Sequence, residues 1–130
     1  MKNQFTEKKL IILGGIVIAA VILALVIFVP SKFERVRNEC LKIAGMVTGS
    51  GDYFMIDTYP EGIYVFPDTQ EKALEAIKYA NEELGFNGSV YSQMMKTTAL
   101  MGRQSVENDK YRVSWTYHPD DGLEVTYEKK

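Results

Sequence analysis

The sequence predicts a small α+β domain behind one transmembrane helix, and three observations carry that reading. Residues 10–29 form an unbroken run of twenty apolar or glycine residues with no polar side chain. Three later segments repeat apolar residues at spacings of three and four, and Gly stops follow them. Two β-prone stretches turn back on themselves at Pro-acid-Gly sequences. The expected domain has a four-stranded antiparallel sheet made of two β-hairpins, with three helices on one face, in the order αββααββ.

The chain divides by composition into a short polar tail at residues 1–9, an anchor at residues 10–29 and a domain at residues 31–130. At ~1.5 Å rise per residue, twenty residues reach ~30 Å, the thickness of a bilayer's hydrocarbon core. A soluble core helix keeps a polar face, and this run has none. A cleaved signal peptide has a shorter apolar region and small residues at the cut, whereas Phe28-Val29-Pro30-Ser31-Lys32 has no Ala-x-Ala pattern. The reading is therefore an uncleaved signal-anchor, single-pass, with membrane lipid as partner through residues 10–29. Lys2, Lys8 and Lys9 nearly balance Lys32, Arg35, Arg37 and Lys42 across the run. The short tail favours the domain on the extracytoplasmic side. Gly15 and Ala19 form a small-xxx-small pair that would allow an oligomer through the anchor.

Pro30 ends or kinks the anchor helix. Ser31 and Glu34 then read as a capping box. Phe33, Val36, Cys40, Ile43 or Ala44, and Val47 give one apolar face, stopped by Gly49 and Gly51. Tyr53 to Thr58, the turn Tyr59-Pro60-Glu61-Gly62 and Ile63 to Phe66 read as the first hairpin, apolar on both faces and so placed centrally or covered on both sides. Asp68 and Glu71 form a second capping box, with Ala73, Leu74, Ile77, Ala80 and Leu84 inward and Gly85 as the stop. Asn87-Gly88-Ser89 caps a third helix from Val90 to Met101, closed by Gly102; Thr97 and Thr98 weaken it through β-branching. In the last hairpin Tyr111, Val113, Trp115 and Tyr117 alternate with Arg112, Ser114 and Thr116. Leu123, Val125 and Tyr127 alternate with Glu124, Thr126 and Glu128. Arg112 is expected to pair with Glu124 or Glu128 across it.

Residues 31–130 hold 12 Lys and Arg against 16 Asp and Glu, a formal charge of −4. An acidic domain without a basic cluster excludes nucleic acid as a partner. One cysteine and one histidine exclude an internal disulfide framework and a His/Cys metal cluster within one chain. Cys40 reads as a small buried hydrophobe. Met46, Met94, Met95 and Met101 read as core filling. No Gly-x-Ser-x-Gly, Gly-rich phosphate loop or other cofactor motif is present, so no cofactor, catalytic or metal residue is assigned.

The residues singled out for interaction are Tyr59, Tyr64, His118, Asp120 and Asp121. The tyrosines do not fit one inward stripe, and aromatics are enriched at protein interfaces. His118-Pro119-Asp120-Asp121-Gly122 is sufficient turn chemistry by itself and also places an imidazole beside two acids. The functional expectation is a membrane-anchored binding or assembly module of a bacterial envelope with a protein partner. The alternative is a small membrane-tethered or secreted hydrolase using His118 and nearby acids.

Overall fold

A computed structural model of the chain describes residues 2–60 and 68–130. It divides into two compact units, Met1–Ser31 and Lys32–Lys130.

The first unit is one helix, α1, Lys2–Phe28. Its described side chains are exposed and apolar on every side from Leu10 onward. The stretch Gln4–Val26 is long and apolar enough to cross a membrane. The second unit is α+β. It runs α2 (Lys32–Ala44), β1 (Tyr53–Asp57), α3 (Thr69–Glu83), α4 (Gly88–Lys96), a single 3₁₀ turn at Ala99–Met101, β2 (Gln104–Glu107), β3 (Tyr111–His118) and β4 (Gly122–Lys129).

The four strands form one antiparallel sheet in the order β1-β4-β3-β2. The alternation in β3 and β4 sets its two faces. Val113, Trp115, Leu123, Val125 and Tyr127 point into the core with Phe54 and Ile56 of β1. They meet Phe33, Val36 and Cys40 of α2, Ala73, Ile77 and Ala80 of α3, and Val90 and Met94 of α4. Tyr127 carries a polar atom into this layer. Its hydroxyl lies 2.8 Å from Asn81 Oδ1 and 3.1 Å from the Ile77 carbonyl oxygen, both on α3. A buried phenol needs such an acceptor, and burial pushes its pKa upward. Burial, with the charge of Glu39 adding to it, pushes the Cys40 thiol up to about 12. Cys40 Sγ lies 3.5 Å from the Ala76 carbonyl oxygen.

Several sequence expectations change. The fourth strand is β2, which the pattern Gln104-Ser105-Val106-Glu107 does not announce. The order among the described elements is therefore ααβααβββ rather than an anchor helix followed by αββααββ. Among the described residues β1 pairs with β4 and lies at a sheet edge rather than centrally. The expected return strand Ile63 to Phe66, with the end of its turn, lies outside the described residues. α2 stops at Ala44, because Gly45 takes φ +76° and its N–H still reaches the Leu41 carbonyl. Val47 is buried from an extended segment instead. Asp68 does not cap α3 with its side chain; it pairs with Lys72 one turn on. Asn87 does cap α4, accepting from the Ser89 N–H at 3.1 Å. Arg112 pairs with Glu107 of the unforeseen strand at 2.6 Å, although Glu128 stands opposite it on β4.

Candidate functional site

The two ends of the sheet are built differently. At the end where α2 begins, aromatic rings close the core. Phe33 lies 5.0 Å from Phe54 and 5.6 Å from Tyr111 between ring centroids, and Phe54 lies 4.9 Å from Tyr127. At the other end, around the β3–β4 turn, the helical layer runs out.

Thr97 decides where it runs out. Its hydroxyl donates to the Gln93 carbonyl at 2.8 Å and accepts the Trp115 indole N–H at 2.8 Å. The backbone at Thr97 turns extended, φ −69° and ψ 133°, so α4 ends at Lys96. The helix expected to reach Met101 ends five residues earlier. The residues that would have continued its inward stripe face solvent. Leu100 is 99 % exposed, and Met101 and Met95 are also exposed. Only Met94 of that group fills the core, so the reading of Met95 and Met101 as core filling is corrected.

The facing wall comes from β1 and the β3–β4 turn. The Thr58 hydroxyl donates to the Leu123 carbonyl at 2.9 Å and accepts the Leu123 N–H at 2.8 Å. One buried side chain thereby extends the β1–β4 ladder past its last paired residue. Gly122 makes room for it. Its φ is +71°, and a Cβ there would stand 2.6 Å from Thr58 Oγ1. Between these walls lies a hollow of about 400 Å³. Among the described residues its lining includes Leu74, Met94, Met95, Lys96, Tyr117 and Leu123.

Tyr59, His118, Asp120 and Asp121 are brought to this same end, and Tyr64 lies outside the described residues. Tyr59 is exposed, and its N–H donates to Asp57 Oδ1 at 2.8 Å. His118 Nδ1 accepts the Asp120 N–H at 3.2 Å, with Asp121 Oδ2 at 3.4 Å. A nitrogen that accepts a backbone proton has none to give a carboxylate, so this geometry serves the turn. His118, Asp121, Asp57 and Glu124 border a second hollow of about 290 Å³ on the polar side of the sheet. Among the described residues no group of three or more His, Cys, Asp or Glu is placed to hold a metal ion.

Sequence reasoning missed Met95, Leu100, Met101 and Tyr117 as surface residues. Among the described residues of Lys32–Lys130 the exposed large hydrophobic ones are these four with Leu41, Tyr53 and Tyr59, so five of these seven gather at this end. The signal that would have found them is the pair Thr97-Thr98, which breaks the helix just before Leu100. No protein-family model, curated protein or solved structure matches the chain.

Proposed function

We propose that the chain is a single-pass membrane-anchored binding or assembly module of an envelope. In this reading α1 crosses the bilayer, and the Lys32–Lys130 unit works on the extracytoplasmic side. The contact surface is the open end of the sheet, and the partner is a protein.

One observation supports the choice of surface. Leu100 and Met101 are exposed in the single turn that follows Thr98, and the exposed Met95 and Tyr117 line an apolar hollow reached by Thr97 and Thr98. Scattered apolar surface residues are ordinary, but a clustered set rimmed by charge is what interaction sites use. Lys96 lines this hollow, and Asp121 borders the second hollow at the same turn. Methionine supplies a soft, adaptable contact suited to such a role.

The test is site-specific photocrosslinking of the full chain in its native membrane. A benzophenone side chain at Leu100 is expected to yield one protein adduct that disappears when Tyr117 and Met95 are changed to Ser. The same probe at Ser50, in the loop before β1, is expected to give none. Equal adducts from both positions, or none from Leu100, would remove the open end as the contact surface.

A further inference from the structure

The sheet has one covered edge and one uncovered edge among the described residues. On the outer side of β1, Thr48 and Met55 exchange both backbone hydrogen bonds, at 3.1 and 2.9 Å. On the outer side of β2 there is no such partner. The register says which groups face outward there. The Asn108 N–H donates to the Tyr111 carbonyl at 2.9 Å and closes the β2–β3 turn. Hydrogen-bonded and non-hydrogen-bonded pairs alternate along an antiparallel ladder. With Val106 opposite Val113 and Gln104 opposite Trp115, the backbone groups of Asn108, Val106 and Gln104 turn toward β3. Those of Glu107, Ser105 and Arg103 turn away from the sheet, where a further strand would meet them.

Charge on an edge strand ordinarily blunts it against other chains. Here the charges stand symmetrically, Arg103 and Glu107 two residues either side of Ser105. If a second copy is laid antiparallel about Ser105, the outward-facing backbone groups of all three residues meet their counterparts. Arg103 then stands opposite Glu107 of the second copy, and Glu107 opposite its Arg103. Opposite charges directly across a ladder stabilise it and like charges do not. A parallel pairing in register sets Arg on Arg and Glu on Glu. The edge thus discourages foreign strands and admits a copy of itself. Both side chains lie on the polar face of the sheet. Arg103 Nη1 lies 3.4 Å from Ser114 Oγ, and Glu107 holds Arg112 at 2.6 Å and Lys130 at 3.0 Å. Glu107, Asp109 and Glu128 there balance Arg112, Lys110 and Lys130, so an incoming arginine meets no net positive charge.

We propose that two copies of the chain pair through β2, antiparallel about Ser105, joining their four-stranded sheets into one continuous sheet. The pairing does not depend on the partner surface at the open end and survives if that surface is wrong.

The native thiol makes the test clean. Cys40 is the chain's single cysteine and is buried, so it stays silent to a surface oxidant. In a hydrogen-bonded antiparallel pair the two Cα atoms stand ~5.5 Å apart, inside the ~4.4–6.8 Å range that a disulfide spans. The full chain carrying Ser105→Cys, in lipid vesicles and treated with copper–phenanthroline, is expected to form a covalent dimer. Its rate should exceed that of a Ser50→Cys control by about tenfold or more, since pairing raises the local concentration. Adding Arg103→Glu should bring the rate down to the control's, and adding Glu107→Arg as well should restore it. Trp115 fluorescence confirms that each variant is folded. Equal rates at Ser105→Cys and Ser50→Cys would overturn the pairing. So would a folded charge-reversal variant that crosslinks undiminished, or a folded double reversal that does not recover.

Discussion

Trp115 and Tyr117 stand two residues apart on the same face of β3, yet one is buried and the other is exposed. The difference does not come from the strand, which alternates without interruption. It comes from the layer above. α4 covers Trp115 and stops, because Thr97 leaves helical geometry where its hydroxyl meets the indole N–H. Alternation chooses the face a side chain points to. The extent of the helical layer chooses whether that face is inside. The closed end, from Phe33 to Trp115, is held by complete coverage; the open end begins where coverage is withdrawn.

The strongest way to break this comparison is to cut into the covered side. Trp115→Ala removes the largest buried side chain and leaves the Thr97 hydroxyl without its donor. It should cost about 3–5 kcal/mol, read by urea unfolding followed in the far ultraviolet. A loss below about 1 kcal/mol would mean that Trp115 lies on the uncovered side after all.

Gly122→Ala tests the boundary itself. The substitution places a side chain at φ +71° and drives its Cβ into the Thr58 hydroxyl. Backbone strain of this kind costs roughly 1–3 kcal/mol. Pairing Gly122→Ala with Thr58→Ser keeps the clash, since the hydroxyl remains. Pairing it with Thr58→Ala relieves the clash but loses two hydrogen bonds. Thermal unfolding of the set separates the contributions.

Tyr127→Phe probes the closed side more gently. It removes the one polar atom that ties β4 to α3 through Asn81 and Ile77, and should cost about 1–2 kcal/mol. An unchanged midpoint would show that Asn81 is satisfied without it.

Leu100→Ser sharpens the comparison from the other side. With no contacts to lose, it should change stability by less than about 0.5 kcal/mol. Partner crosslinking should fall sharply. Destabilisation comparable with Tyr127→Phe would place Leu100 in the core and end the case for an open end.

The sequence made the β3–β4 hairpin legible because seven apolar positions alternate with polar ones around a turn whose Gly adopts positive φ. It made α2 and α3 legible through apolar spacing and terminal glycines, although Gly45 ended α2 earlier than the stripe suggested. β2 was not legible. Gln104-Ser105-Val106-Glu107 has one apolar residue, and what makes it a strand is the finished edge of β3, a tertiary fact. The end of α4 was half legible. Thr97 and Thr98 signalled weakness, but the indole that draws Thr97 out of the helix is eighteen residues away. The candidate site suffered from that error. A helix carried through to Met101 leaves Met95 and Met101 as core filling and gives Leu100 no place on the surface. His118, Asp120 and Asp121 were found because a turn advertises itself locally.

The Thr58–Leu123 lock bears on force. Under the proposed function, a domain held at Lys32 and gripped at the open end would be pulled along the strands, since Phe33 and the β3–β4 turn sit at opposite ends of the sheet. Ladder hydrogen bonds run across the strands, so such a pull loads them in shear, many together, rather than peeling them one after another. β1, five residues long, is the shorter strand of the β1–β4 ladder, and its last residues would yield first. The threonine hydroxyl, bonded both ways to Leu123, stands where that shear would begin.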